Sequence, residues 1–380
     1  MEEWKEYRLG DLFERVTRKN TNLESKNVLT ISAQYGLINQ EEFFNKTVAG
    51  KNLTNYYLLK KGEFAYNKSY SKGYPMGATK MLDKYDNGIV STLYICFRSK
   101  SDLVNDEYFK YYFESKEYYD ELSKIAQEGA RNHGLLNVST KDFFNMKILI
   151  PSKLEQKLIA ETLKKLDIII NKYEKLIIEK NKFIMSQFYG LFRDRNKCKL
   201  SDLAFITMGQ SPDSASYNNK KEGLPFYQGA ADFGEIFIKN NYYCNKPIRI
   251  AEPNDLLISV RAPVGNINFT DSRCCIGRGL AAIKPKEHLS TGWFLFFALK
   301  TMNKEIARKS EGSTFKSINK EVLYNLELPK VDIEEQNKFI RIAELHYKQQ
   351  IKLKSLLQNY KQLKIGLMQN LITGKIRIKI

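Results

Sequence analysis

Hydrophobic positions along this chain follow two different regimes. Over residues 152–193 they recur in alternating steps of four and three. Ile159, Leu163, Leu166, Ile170, Tyr173, Ile177, Lys180, Ile184, Gln187 and Leu191 give eight apolar residues in ten. Over residues 331–373 the same steps pick out Phe339, Ala343, His346, Gln350, Leu353, Leu357, Tyr360, Lys364, Leu367 and Leu371, seven of ten apolar. Lys, Glu, Asn and Gln fill the gaps, so each stretch predicts a helix with one narrow apolar seam, as a coiled coil requires. At 1.5 Å per residue such a seam is roughly 50 Å long. Elsewhere the apolar runs are short. Val28–Ile31, Phe64–Tyr66 and Ile89–Phe97, punctuated by Gly and Asn, read as strands, with a helix over Asp106–Gln127. The pattern divides the chain into mixed residues 1–151, helical residues 152–195, mixed residues 196–330 and helical residues 331–380.

The two halves repeat. Asn145-Met146-Lys147-Ile148 … Leu154-Glu155-Gln156 is echoed by Asn325-Leu326-Glu327-Leu328 … Glu334-Glu335-Gln336, at a constant offset of 180. Leu9-x-Asp11-Leu12 matches Leu200-x-Asp202-Leu203, and Lys61-Gly62-Glu63-Phe64 corresponds to Pro253-Asn254-Asp255-Leu256. Glu128-Gly129 precedes Val138 as Glu311-Gly312 precedes Ile318. Framework and turns repeat while polar loops differ. The expected fold is α+β, with two globular domains joined by two long antiparallel helices in an approximate two-fold arrangement. Pairing residue i with 530 − i sets Lys180 against Gln350, Ile184 against His346 and Leu166 against Lys364. The Lys180–Gln350 layer is then a buried polar contact that fixes register, unless Lys180 snorkels out of the seam.

Composition changes this picture in two ways. A net charge of +18 favours a polyanionic partner, because each Lys or Arg laid on a phosphate releases a condensed counterion. The five cysteines (Cys96, Cys198, Cys244, Cys274, Cys275) form no C-x-x-C pair and read as reduced, mostly buried thiols. No apolar stretch is long enough to span a bilayer, and the acidic start Met1–Glu6 lacks a signal-like core, so a cytoplasmic protein is expected.

Catalytic patterns are scarce. The three histidines, His133, His288 and His346, have no ligand partner at i+4, and no phosphate-binding Gly-rich loop precedes a Lys-Ser or Lys-Thr. There is no Asn-Pro-Pro-aromatic stretch, and Gly277-Arg278-Gly279 is too short for a dinucleotide fingerprint. Pro212-Asp213 has no Glu-x-Lys following it at nuclease spacing, and Glu114-Ser115-Lys116 falls in a predicted helix.

The order mixed domain, long helix, mixed domain, long helix resembles the specificity (S) subunit of type I restriction–modification enzymes. Gly209-Gln210-Ser211-Pro212 followed by Gly223-Leu224-Pro225-Phe226-Tyr227-Gln228-Gly229 looks like the opening of a target-recognition domain. Asp255–Ser259 with Gly265, and Gly312-Ser313-Thr314 with Ile318, look like its later strands. Leu328-Pro329 … Glu334-Glu335-Gln336 and Leu371-Ile372-Thr373-Gly374-Lys375-Ile376-Arg377 resemble the family's helix opening and its ending. The first half departs from the pattern, with Arg18-Lys19-Asn20-Thr21 in place of Gly-Gln-Ser-Pro and Lys68–Pro75 filling the loop before Gly77.

The resemblance implies a DNA-recognition subunit without an active site, from a bacterial or archaeal cytoplasm. Each mixed domain would read one half of a bipartite, asymmetric duplex site in the major groove, with the helices as a spacer. Two methyltransferase subunits and the restriction subunits would dock on it. S-adenosylmethionine, ATP and Mg would belong to those partners, leaving no cofactor or metal in this chain. The alternative is a DNA-binding component with an unrecognised nuclease site. For phosphate contacts the candidates are Arg18, Lys19, Lys68 and Lys72, then Ser211, Arg261, Arg278 and Lys316. For base reading they are Gln34, Asn67, Tyr70, Arg131 and Asn132, then Gln210, Gln228 and Asp232. The chemistry is that Arg pairs with guanine O6/N7, Asn or Gln with adenine N6/N7, and Asp accepts from cytosine N4.

Overall fold

The computed structural model describes residues 3–32, 35–44, 52–70, 73–128, 136–192, 195–239, 242–310 and 317–378. The chain forms two compact units, one of Met1–Lys172 with Leu356–Ile380 and the other of Tyr173–Ser355.

The first unit opens with β1 (Lys5–Arg8), α1 (Leu9–Leu12), β2 (Phe13–Arg15), β3 (Leu29–Ser32), β4 (Gly36–Asn39) and α2 (Gln40–Phe44). It continues through β5 (Tyr57–Lys60), β6 (Phe64–Asn67), β7 (Ala78–Met81), β8 (Asn87–Val90) and β9 (Ile95–Ser99). Then come α3 (Asp106–Tyr112), α4 (Lys116–Ile125), β10 (Gln127–Glu128), β11 (Leu136–Asn137), α5 (Thr140–Asn145) and β12 (Lys147–Ile150), leading into the long α6 (Lys153–Phe192). Its main sheet has the order β2-β9-β6-β7, all antiparallel, and β1 pairs with β12. Alternation along these strands sends Phe13, Phe64 and Phe97 to the helical side, where they meet Phe109 and Phe113. Phe13 lies 4.9 Å from Phe109 and 5.5 Å from Phe97, in edge-to-face packing. A second, smaller core under β3, β4, β5 and β8 includes Leu29, Leu37, Leu59 and Val90.

The second unit runs β13 (Lys197–Lys199), α7 (Leu200–Leu203), β14 (Ala204–Met208), β15 (Tyr217–Asn218), β16 (Leu224–Tyr227), β17 (Tyr242–Cys244) and β18 (Ile250–Ala251). It then runs β19 (Leu256–Ser259), β20 (Ile267–Phe269), β21 (Cys274–Ile276), β22 (Leu280–Pro285), α8 (Gly292–Thr301), α9 (Asn303–Lys309), α10 (Lys320–Tyr324), β23 (Glu327–Pro329) and α11 (Ile333–Ile372). Its main sheet, β14-β22-β19-β20, repeats the order of the first, and β13–β23 repeats β1–β12. The additional sheets differ. The first unit has the two-stranded β3–β4 and β5–β8, the second a five-stranded β15-β17-β16-β21-β18 with β16 and β21 parallel.

Three of the four sequence echoes prove to be joints of this shared frame; in the fourth, Gly129 and Glu311-Gly312 lie outside the described residues. Asp11 accepts from the Arg8 N–H and Asp202 from the Lys199 N–H, both at 2.9 Å. Gly62 (φ 89°) and Asn254 (φ 68°) make the same left-handed turn, closed by Glu63 accepting from Lys60 N and Asp255 from Glu252 N. Gln156 is fully buried. It donates to the carbonyls of Leu103 (2.9 Å) and Pro151 (3.0 Å) and accepts from Asn105 N (2.9 Å). Gln336 repeats this with Leu289 O, Val331 O and Thr291 N at 3.0, 2.8 and 3.0 Å.

Within each unit a segment of α6 pairs antiparallel with a segment of α11. In the first, Ile159, Leu163, Leu166 and Leu371 are buried, and Asp167 pairs with Lys364. In the second, Ile177, Ile184, Phe188, Phe339 and Ala343 are buried. The expected seam is correct up to Ile184 and then shifts from Gln187 to Phe188. A straight helix at 3.6 residues per turn drifts about 20° per heptad from a 3.5 repeat, so over four heptads the seam moves on by one residue. The expected Lys180–Gln350 layer is not formed. Lys180 Nζ donates to the exposed Gln349 Oε1 (2.8 Å), and the buried Gln350 sends its amide to the Ile177 carbonyl (3.3 Å).

Three further expectations change in detail. The single helix over Asp106–Gln127 is two, broken where Ser115 bonds back to Tyr112 O and caps the N-terminus of α4. Ile89–Phe97 is two strands, β8 and β9, with a turn between them. The second long helix stops at Ile372, two residues before Gly374 (φ 70°) lies against Trp4. The cysteines are free and, except for half-buried Cys198, buried. No helix among the described residues is long and apolar enough to cross a membrane.

Candidate nucleic-acid interface

In the second unit three backbone segments converge at the end of β22. Gly209 N donates to Leu280 O (2.9 Å) and Gln210 N to Ile276 O (3.0 Å), while Gly277 N donates to Tyr227 O (2.8 Å). Glycine makes the convergence possible. A Cβ at Gly209 would lie 2.2 Å from Gly277 O, and one at Gly279 would lie 2.2 Å from Gln228 O. Contacts that close exclude any side chain. Gly279 O also accepts from Val260 N (2.9 Å), which brings the β19 end and Arg261 alongside, and Arg261 in turn bridges to Ser317.

This geometry gathers most of the second-half candidates. Gln210, Gln228, Arg261 and Arg278 are exposed, and neither arginine has an ion-pair partner among the described residues. Two amide side chains and two guanidinium groups offer the donors and acceptors that suit base edges and phosphates. Ser211 is half-buried, and its Oγ accepts from Arg278 N (3.2 Å), so it braces the turn. Half-buried Asp232 turns one carboxylate oxygen to its own loop, where Oδ2 accepts from the backbone N–H of Gln228 (2.7 Å) and of Gly229 (3.2 Å).

The first-half candidates are more dispersed. Arg18 pairs with the buried Glu63 at 2.7 Å, so its charge is matched inside the unit. Lys19 donates to Asn55 O (2.8 Å) and lies 4.6 Å from the Tyr57 ring centroid. Asn67 Oδ1 accepts from Ser69 N and caps a turn. Lys68 donates to Val138 O (2.7 Å), and burial together with the charge of Arg15 lowers its pKa. Tyr70 faces solvent with 62% of its surface exposed. Glu63, which holds Arg18, precedes β6 and Asn67 ends it, so Glu63 and Asn67 stand a strand length apart, roughly 13 Å. Gln34, Lys72, Arg131, Asn132 and Lys316 lie outside the described residues.

The acidic residues weighed as catalytic have structural partners. Asp213 Oδ1 accepts from Ala215 N (2.8 Å). Glu114 pairs with Lys80 and accepts from Tyr74 OH (2.9 Å), and Lys116 pairs with Asp120. Among the described residues no three His, Cys, Asp or Glu side chains cluster as metal ligands would. From the sequence, Gly209 is placed only within the family-like opening and Gly277-Arg278-Gly279 only as too short for a dinucleotide fingerprint, so the close approach of these glycines is missed. The available signal is an arginine flanked by two residues that permit close approach.

The family model described as type I restriction modification DNA specificity domain matches residues 1–182 and 193–364. A Methanocaldococcus jannaschii chain, provisionally named type I restriction enzyme MjaX specificity subunit, is 35% identical over 257 residues, 62% of this chain and 60% of that relative. This chain thus matches less than two thirds of that relative's length. A solved chain from work on complex assembly and conformational transition of the type I R-M system is similar with a TM-score of 0.65 and 23% identity, covering 99% of both chains. The type I restriction–modification S subunit from M. genitalium is similar with a TM-score of 0.60 and 16% identity, over 99% of this chain and 96% of that one. The matched segments take in both repeated frames, and the chain belongs to the type I restriction modification DNA specificity domain family.

Proposed function

We propose that this chain is the sequence-specific DNA-recognition subunit of a type I restriction–modification enzyme. Each unit reads one half of a bipartite, asymmetric duplex site. Two methyltransferase subunits and the restriction subunits assemble with it, and they bind S-adenosylmethionine, ATP and Mg. This chain is non-catalytic, holding DNA while its partners do the chemistry.

One observation carries the reading. An identical frame occurs twice, with the same sheet order and the same buried Gln clamp, yet it supports different additional sheets and different polar loops. Duplication of a frame with divergence of its loops is what reading two unlike half-sites demands. Exposed Gln and Arg at the Gly209–Gly277–Gly279 junction supply suitable donors and acceptors. The structural roles of Asp213 and Glu114 support the non-catalytic assignment.

The test is to map methylated adenines in the host genome with and without the gene. A bipartite motif with two unlike halves should disappear on deletion and return on complementation. Loss of no motif, in a host where the partner subunits are expressed, overturns the reading.

A further inference from the structure

Gln228 is held from both sides of its backbone. Its N–H donates to Asp232 Oδ2 at 2.7 Å, and the same oxygen accepts from Gly229 at 3.2 Å. Its carbonyl faces Gly279, where a Cβ would stand 2.2 Å away, and its Cα faces Gly277, where a Cβ would stand 3.3 Å away. The loop beyond is tied off as well. Asp232 N donates to Gly229 O (3.1 Å), and Lys239 N donates to Asp232 O (2.8 Å). The Gln228 side chain, by contrast, is exposed and has no partner among the described residues. Arg278, between the two glycines, is presented in the same way.

A carboxylate that reads cytosine must offer an oxygen outward to the N4 amino group. Asp232 offers Oδ2 to two backbone N–H groups of its own loop. Charge-assisted bonds of this kind are the stronger ones, and they fix backbone direction rather than face a ligand.

We propose that Asp232 is a positioning residue for DNA recognition. Its carboxylate fixes the backbone at Gln228, so that the Gln228 amide, braced against the Gly277-Arg278-Gly279 turn, meets one base pair in a defined orientation. Base specificity at that position resides in Gln228 and depends on Asp232 without contact between Asp232 and DNA. The inference rests on the proposed DNA-recognition function.

The experiment measures binding of the full chain, assembled with its methyltransferase subunits, to the cognate duplex and to duplexes with one substituted base pair. Gln228→Ala should reduce discrimination at a single position by about 5- to 150-fold, the range of one bidentate base contact. Asp232→Ala should reduce discrimination at that same position and no other. Asp232→Asn, which keeps an acceptor oxygen for the two N–H groups, should restore it. The Asp232→Ala, Gln228→Ala double variant should discriminate no worse than Gln228→Ala, because both changes remove one reading event. Gly279→Ala, which pushes on the Gln228 carbonyl, should lose the same position.

Loss at a different position in Asp232→Ala overturns the proposal, as does an additive double variant. So does a change of preference at a C·G pair in Asp232→Asn, which would make Asp232 itself a reader. If Asp232→Ala does not fold, Asp232→Asn and Gly279→Ala still decide. Failure of the underlying function is distinguishable, because the unaltered complex would then bind every duplex alike.

Discussion

At the scale of single residues, the two buried glutamines show why one short motif occurs twice. Gln156 and Gln336 each sit at the first turn of a long helix and tie one carbonyl of the loop before it to a carbonyl and an N–H of the distant loop that leads into α3 or α8. Removing such a side chain strands buried polar groups as well as breaking bonds. Gln156→Ala and Gln336→Ala should each lower stability by about 2–4 kcal/mol. Calorimetry should show similar losses for the two, in different thermal transitions if the units melt separately. A neutral Gln156→Ala would mean that water replaces the clamp. The neighbouring glutamates are less alike. Glu155 is buried and bonded to Arg377 through both oxygens at 2.6 Å, while Glu335 meets Arg195 at 3.0 Å with 37% of its side chain exposed. Solvent and salt screen the second pair far more than the first.

At the scale of elements, the long helices were the most legible part of the sequence, because period and polarity repeat over many turns. Their register was not. A pairing guessed from symmetry alone put Lys180 opposite Gln350, and the actual neighbour one residue away leaves Lys180 at the rim. Gln350 is therefore the poorly satisfied polar residue in this seam. Its Oε1 is buried with no partner among the described residues, and its amide makes only a 3.3 Å bond to a mid-helix carbonyl. Gln350→Leu should stabilise the second unit by roughly 1 kcal/mol, whereas Lys180→Leu should change it by less than about 0.5 kcal/mol. Urea unfolding of both variants checks this, and a marked loss in Gln350→Leu would show that the buried amide contributes net stability. Strands were legible where short apolar runs marked them, as Phe64–Tyr66 marks β6, whereas the longer run Ile89–Phe97 spans two. The break at Ser115 between α3 and α4 depends on a cap that competes with helix continuation, a balance that periodicity does not register.

At the scale of the whole molecule, the frame was readable and the readers were not. Echoed motifs marked the joints because buried hydrogen bonds and left-handed turns tolerate few residue types. The candidate interface of the second unit became visible only when three glycines brought distant loops together, and its Asp232 binds the loop backbone through Oδ2. The division into units has a consequence for how the chain is made. The second unit is one continuous stretch, Tyr173–Ser355, but the first needs Leu356 onward. Leu371 and Ile372 fill its core, and Arg377 neutralises Glu155 from 222 residues away. At ribosomal rates of about 5–20 residues per second, the interval between those two residues is roughly 10–45 s. During that time Glu155 lacks its Arg377 partner and part of the first core lies open. A chain halted near residue 355 should therefore show protease resistance over 173–355 and cleavage within 1–172, and equal resistance in both would contradict this order. The part of the protein synthesised first is the part completed last, a window in which chaperones have most to protect.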